Sequence, residues 1–268
     1  MANQTVLVTG ASSGIGRGIA TRFAREGYRV FGTSRNPAKL QPLEGVAFLP
    51  LDVTDDASVL AAVQAVEVQA GRLDILVNNA GIVVTGAVEE VTLANARRQF
   101  ETNLFGVLRM IQAVLPLMRR QRNGLIVNMG SIAGLVPIPF AGLYSSSKSA
   151  LAGLTEVLRQ EVAAFGIRVV LVEPGFFKSD LVGEAISPGR EIDDYREVKG
   201  RVLRRLGEID RASEPPTAVA ELVLALARNP RPPLRHPIGK EKLYAYLKRF
   251  LPAGMWEPQA NRYWKVTG

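Results

Sequence analysis

Short runs of branched aliphatic residues alternate along the chain with longer stretches in which apolar positions recur every three or four residues. The runs Thr5–Thr9, Arg29–Ser34, Val46–Leu51, Leu73–Asn78, Leu125–Met129 and Ile167–Glu173 are rich in Val, Ile and Leu and lack clean alternation. That is the pattern of strands buried on both faces. Ile15, Ile19, Ala20, Phe23 and Ala24 form a helical stripe that closes at Gly27. Leu104, Leu108, Ile111 and Leu115, with Val107, Val114 and Met118 beside them, predict a core helix over 104–118, with Pro116 near its end or bending it. Asn36-Pro37, Thr54-Asp55-Asp56 and Thr92 read as further helix starts. Strands alternating with helices predict an α/β fold, a doubly wound parallel sheet with helices on both faces. A chain of 268 residues with 47% hydrophobic content can close one substantial core, so residues 1–268 read as a single domain.

Composition narrows the chemistry. There are no cysteines, which removes disulfides and thiolate metal sites, and no metal is expected. Met1-Ala2-Asn3-Gln4 leads directly into the first strand, and no apolar run reaches the roughly 18 residues that span a bilayer, so a cytoplasmic location is expected. The formal charge of +8 would attract phosphates, anionic surfaces or nucleic acid. Its carriers are scattered, with modest clusters at Arg119-Arg120-Gln121-Arg122, over Arg201 to Arg205 and in the last thirty residues. No aromatic-interleaved motif accompanies them, so no nucleic-acid partner is expected. The single histidine, His236, lies among Pro232, Pro233, Arg235 and Pro237, far from any nucleophile motif, which argues against a Ser-His-Asp hydrolase.

Two constellations carry chemistry. The first strand runs straight into Gly10-Ala11-Ser12-Ser13-Gly14-Ile15-Gly16. Glycines placed between a strand and an amphipathic helix let the backbone turn sharply and approach a pyrophosphate, which free N–H groups and the helix N-terminus favour. This is the signature of a Rossmann-like dinucleotide fold. The second is Tyr144 with Lys148 one helical turn on and Ser131 thirteen residues upstream. A phenol with a reference pKa of about 10 transfers protons at neutral pH when a nearby cation stabilises its phenolate, and the i, i+4 spacing brings the ammonium alongside. Ser131 would hold a substrate oxygen.

With Asp52-Val53, Asn78-Asn79-Ala80-Gly81, Asn103 and Pro174-Gly175 following in order, the chain resembles the short-chain dehydrogenase/reductase family in its single-domain branch. The resemblance implies a catalytic tetrad of Asn103, Ser131, Tyr144 and Lys148. It places Gly10, Ser12, Ser13, Gly14, Ile15 and Gly16 around the cofactor pyrophosphate, and Asp52 and Val53 at the adenine. Asn79, Ala80 and Gly81 line the cofactor, Pro174 and Gly175 turn the chain at the nicotinamide, and Ser179 stands where the family usually has a threonine. It also implies hydride transfer between the nicotinamide and a carbonyl or alcohol, with Tyr144 exchanging the proton. Lys148 would lower the Tyr144 pKa and bind the nicotinamide ribose, while Asn103 would hold a water linking Lys148 to solvent.

The end of the second strand reads the adenosine ribose in such folds. Ser34 offers no carboxylate to a free 2′-hydroxyl, and Arg35 presents a donor fork suited to a 2′-phosphate, so NADP(H) is the expected cofactor. Ser13 departs from the second basic residue that some NADP-using members carry in the glycine loop. Segment 180–211, with Leu181, Val182, Ile186, Ile192 and Tyr195, reads as a substrate lid, and 235–268 as a C-terminal extension. The tail is similar to those of hydroxysteroid- and retinol-dehydrogenase-like members, implying a hydrophobic steroid-, retinoid- or lipid-like substrate. Trp256, Tyr263 and Trp264 are expected to close the pocket or pack on the core rather than dock on a membrane. A homo-oligomer, dimer or tetramer, is frequent in the family and expected here. The alternatives are an acyl-thioester ketoreductase, a polyol or sugar dehydrogenase, or a non-catalytic NADP-binding sensor, the last opposed by the complete tetrad.

Overall fold

The computed structural model describes residues 4–267. The six expected strands form as β1 (Thr5–Val8), β2 (Arg29–Ser34), β3 (Val46–Pro50), β4 (Ile75–Asn78), β5 (Gly124–Met129) and β6 (Ile167–Pro174). A seventh, β7 (Arg235–Ile238), pairs with β6 from Leu171↔Arg235 to Pro174↔Ile238. Its residues, Arg-His-Pro-Ile, carry two polar side chains and a proline, so nothing in their pattern announces a strand. Proline is tolerated there because β7 is an edge strand and needs only one ladder. His236 is thereby a strand residue, its Nε2 2.8 Å from the Pro233 carbonyl.

All neighbours pair in parallel in the order β3-β2-β1-β4-β5-β6-β7. Alternate residues of each strand go to opposite layers. Leu7, Phe31, Leu76, Ile126 and Val169 pack under helices α2 (Asp56–Ala70), α4 (Gly106–Gln121) and α5 (Gly142–Glu161). Val6, Val8, Ile75, Val77, Val127 and Val170 pack under α1 (Gly14–Arg25) and α7 (Thr217–Arg228). The chain order reverses between β1 and β4, which opens a crevice at the carboxyl ends of the strands.

Local signals fixed most helix ends, with two corrections. Asn36-Pro37 starts only one 3₁₀ turn, Pro37–Lys39, without a side-chain cap. The helix expected over 104–118 is the continuation of α3 (Leu93–Phe100) through a π turn, Glu101–Phe105, into α4. Thr54-Asp55-Asp56 opens α2 as expected, with Asp55 as the cap that accepts from Ser58 N at 2.8 Å. Pro116 lies near the end of α4, which runs on to Gln121 and closes at Arg122 in the left-handed region (φ 53°).

Three further helices cover the crevice: α6 (Arg196–Arg211), α8 (Lys242–Phe250) and α9 (Ala253–Tyr263). Helix α6 and the end of α9 meet in a small third core in which Val202, Leu206 and Trp264 pack with Ile138, Phe140, Phe176 and Tyr263, and α8 joins it through Tyr244, whose ring centre lies 5.6 Å from that of Tyr263. No helix among the described residues is long and apolar enough to cross a membrane.

Candidate active site

The site is built on the carboxyl ends of β1, β4, β5 and β6. Gly10 (φ 64°) and Gly14 (φ 52°) adopt left-handed conformations that favour glycine. Gly16 is required for a different reason: a Cβ there would lie 2.2 Å from the Gly10 carbonyl oxygen and 2.4 Å from Asn79 Nδ2. The turn is held from both sides. Thr33 Oγ1 accepts from Gly10 N at 3.3 Å, and Asn79 Nδ2 donates to the carbonyls of Thr9 and Gly10 at 3.0 Å each. Thr9 Oγ1 accepts from the N–H groups of Asn79 (2.9 Å) and Ala80 (3.0 Å), which ties the loop after β4 to the glycine loop.

A buried polar chain fixes helix α5 on the sheet. Asn78 Nδ2 donates to Asn128 Oδ1 at 2.9 Å, Asn128 Nδ2 to Thr155 Oγ1 at 3.0 Å, and Thr155 Oγ1 to the Leu151 carbonyl at 2.6 Å. Asn78 Oδ1 is left buried without a partner, while the bonds that form lie in a low-dielectric interior, where they help hold the helix that carries Tyr144 and Lys148. Lys148 is buried, and its Nζ donates to the Met129 carbonyl at 2.7 Å while lying 5.7 Å from the centre of the Tyr144 ring. Burial lowers its pKa from 10.5 to about 8. Burial also holds the Tyr144 phenol above its ordinary value, and a hydrogen bond with Ser131 pulls it part of the way back. The sequence expectation that Lys148 depresses the Tyr144 pKa is not met in this state, because the ammonium is turned to the Met129 carbonyl and desolvation dominates the phenol.

Asn103 sits in the π turn, fully buried, and its side chain clamps the backbone N–H and C=O of one residue, Ile82. Oδ1 accepts from Ile82 N at 2.9 Å, and Nδ2 donates to Ile82 O at 3.0 Å and to Ser147 Oγ at 3.2 Å. Ser147 in turn donates to the Tyr144 carbonyl at 2.7 Å, so Asn103 reaches the backbone of the tyrosine turn through one serine.

One cavity of about 1000 Å³ joins these groups. Every residue expected at the site from its sequence motif lines it except Gly16 and Asn103, which shape the walls from behind. Ser34 and Arg35 lie at one part of the lining and Ser131, Tyr144 and Lys148 at another, with Asn79, Ala80 and Gly81 on the wall of β4. The left-handed glycines and this polar run fit an extended dinucleotide. At Asp52, burial disfavours the charge, but Thr54 N and Oγ1, bonded to Oδ1 at 2.9 and 2.7 Å, and the nearby Arg35 hold the carboxyl below its ordinary value.

The remaining wall is mostly apolar, with Asp180, Glu184, Asp210, Glu241 and Gln259 interspersed, and comes from parts of the chain that carry no motif. Ile138 and Phe176 face Leu181, Val182 and Leu206 of the 180–211 segment, and Tyr244, Leu247, Leu251, Trp256, Tyr263 and Trp264 complete it. Glu90 anchors the segment. Its carboxylate is fully buried and accepts from Ala87 N (2.9 Å), Ile192 N (3.1 Å) and Lys199 Nζ (2.7 Å). Burial alone would raise its pKa, yet these partners hold it below the ordinary carboxylate value. Glu241 Oε2 likewise accepts from Phe176 N at 3.3 Å, joining α8 to the loop after β6. Sequence reading missed both glutamates, since a carboxylate among other charges gives no sign of whether tertiary contacts will enclose it. Among the described residues no three His, Cys, Asp or Glu side chains cluster as a metal site would require.

Residues 4–188 match the sequence model of the short chain dehydrogenase family. The chain is 37% identical over 268 residues to a 3-ketodihydrosphingosine reductase of Bacteroides thetaiotaomicron, covering 96% of each chain. It is 35% identical over 254 residues to retinol dehydrogenase 8 of Bos taurus, covering 87% of this chain and 81% of that one. A solved short-chain dehydrogenase from Streptomyces avermitilis superposes with a TM-score of 0.83 at 34% identity, covering 98% of this chain and 97% of that chain. The glycine turn, the tyrosine and lysine held on α5 and these matches have one conclusion: the chain belongs to the short-chain dehydrogenase/reductase family, oxidoreductases of CH–OH groups that use nicotinamide cofactors.

Proposed function

We propose that this protein is an NADP(H)-dependent oxidoreductase of a hydrophobic, lipid-like carbonyl or alcohol. The observation that carries the reading is the shape of the cavity: one continuous space whose polar wall holds Ser131, Tyr144 and Lys148 and whose other wall, built from α6, α8 and α9, is mostly apolar, with Asp210, Glu241 and Gln259 as its polar members. The cofactor would supply the hydride chemistry, and the chain supplies geometry and the proton. Ser131 and Tyr144 both offer a hydroxyl to a substrate oxygen, and Tyr144, kept protonated by its burial, is the donor in the reducing direction. Lys148, with its pKa near 8, sits on the same helix face to exchange protons in the neutral range. Asn103 holds the backbone around both and is the candidate to seat a relay water. Ser34 and Arg35 favour the phosphorylated cofactor, since Arg35 is an exposed guanidinium at the cavity lining and the wall there has no carboxylate on β2. The two relatives named above are named for 3-ketodihydrosphingosine and retinol, which agrees with an apolar chamber of this size.

Turnover of a homologous series of ketones with NADPH and with NADH tests the proposal. Specificity should rise with aliphatic length and favour NADPH. Turnover of β-ketoacyl thioesters or sugars, with no activity on long-chain ketones, would replace this reading with the alternative substrate classes.

A further inference from the structure

Helix α8 is apolar on two sides, and only one of them faces the protein. Tyr244, Leu247 and, just past the helix end, Leu251 line the cavity. Leu243, Tyr246 and Phe250 recur at three and four residues and do not line it; they stand 60%, 52% and 80% exposed. Met255, 60% exposed at the start of α9, continues this outward stripe. At about 100° per residue the side chains follow one another around the helix as Tyr246, Phe250, Leu243, Leu247, Leu251 and Tyr244, so the outward stripe and the cavity wall form one apolar arc. The opposite side holds the helix in place: Ala245 is buried, and Lys248 Nζ donates to the Leu135 carbonyl at 2.7 Å. Twelve large hydrophobics are exposed among the described residues, and six of them fall between 243 and 255, which makes this a patch rather than the scatter found on ordinary surfaces.

Charge says what the patch fits. Residues 240–268 contain six basic side chains against Glu241 and Glu257. Glu241 is turned inward to Phe176 N; Lys242 and Arg262 are exposed, as are Lys240 and Lys265, which lie 3.2 Å from Glu214 and 3.9 Å from Glu208, and Glu257 is the exposed acid among them. A second copy of the chain on this face would bring two cationic clusters together and cover the apolar wall of the cavity. An anionic bilayer complements both the cations and the stripe. We propose that α8 docks this protein reversibly on an anionic lipid surface, with Leu243, Tyr246 and Phe250 in the boundary between headgroups and acyl chains and the apolar side of the cavity turned toward the lipid. The aromatic residues that the sequence offered for such a role, Trp256, Tyr263 and Trp264, are turned to the cavity instead, with Trp264 buried. Docking stands on the surface alone; the corollary that substrate enters from the bilayer rests on the proposed function.

The test is sedimentation of the full chain with vesicles of phosphatidylcholine alone and of phosphatidylcholine mixed with phosphatidylglycerol. The protein should sediment with the anionic vesicles only and be released by salt. Leu243→Asp combined with Phe250→Asp should weaken binding by about tenfold or more without lowering the melting temperature, because neither side chain is packed. Lys240→Gln with Lys242→Gln, which leaves the apolar stripe intact, should also weaken it. Absence of vesicle binding, or binding unchanged in both variants, overturns docking. So does a dimer that the aspartate variant dissociates while vesicles bind nothing, since the stripe would then belong to a second copy. Vesicle binding without turnover of long-chain ketones would leave docking intact and remove the proposed function.

Discussion

Lys148 sets stability against chemistry, and the conflict can be measured. Its buried ammonium has a pKa of about 8 in place of 10.5, so folding carries a charge into surroundings that disfavour it. That difference is worth on the order of 3 kcal/mol, at about 1.4 kcal/mol per tenfold change in proton affinity. Its sign follows from proton counts. Between about pH 8 and 10.5 the unfolded chain keeps the proton while the folded chain sheds it, so stability rises with pH across that window. Below the folded value both states are protonated and the full cost remains. Lys148→Met keeps most of the stem and removes the charge, at the loss of the 2.7 Å bond to the Met129 carbonyl, itself worth about 1–3 kcal/mol. The variant should therefore be as stable as the wild type or more so at about pH 7, and lose on the order of 3 kcal/mol relative to it as the pH approaches 10. Urea unfolding of both proteins without cofactor, at intervals from about pH 7 to 10, gives the difference directly. Tyr144 titrates in both and largely cancels. A gap that stays flat with pH, or that moves the other way, would refute the assignment of a buried ammonium.

Tyr144→Phe should abolish turnover and leave NADPH affinity nearly unchanged, because the ring keeps its packing and loses only its proton; comparable activity ends the proton-donor role. Ser34→Asp with Arg35→Ala should weaken NADPH binding by roughly ten- to a hundred-fold and shift preference to NADH, as expected for loss of a charge-assisted bond of about 1.5–3 kcal/mol; steady-state constants for both cofactors decide it. Glu90→Gln leaves Lys199 without its carboxylate and should cost about 3 kcal/mol. If the 180–211 segment is a lid, that variant also raises KM for a hydrophobic substrate more than it lowers NADPH affinity. Trp264→Ala should lower stability by about 3 kcal/mol and raise the same KM, whereas a purely structural Trp264 would move the melting temperature alone.

What short-range physics controls was legible in the residues alone. Six strands follow from unbroken aliphatic runs, the helical stripe of α1 from a period of 3.6 residues, and the glycine turn from backbone freedom, each encoded locally. Tyr144 and Lys148 share a helix face for the same reason. Features that depend on burial by distant segments emerged only from packing. Strand β7 exists because the edge of β6 offers a ladder to Arg235–Ile238, whose own residues show no strand preference. Glu90 became an anchor because Ile192 and Lys199, from one segment 102 and 109 residues on, bring donors to it beside the neighbouring Ala87 N–H. Lys148 meets the Met129 carbonyl, rather than simply standing beside a phenol, because β5 ends beneath it. The apolar half of the cavity has no motif because its wall is assembled from α6, α8 and α9, and α8 is turned so that one apolar side faces that wall and the other faces out. Periodicity records that a side is apolar; only packing determines which side is left uncovered.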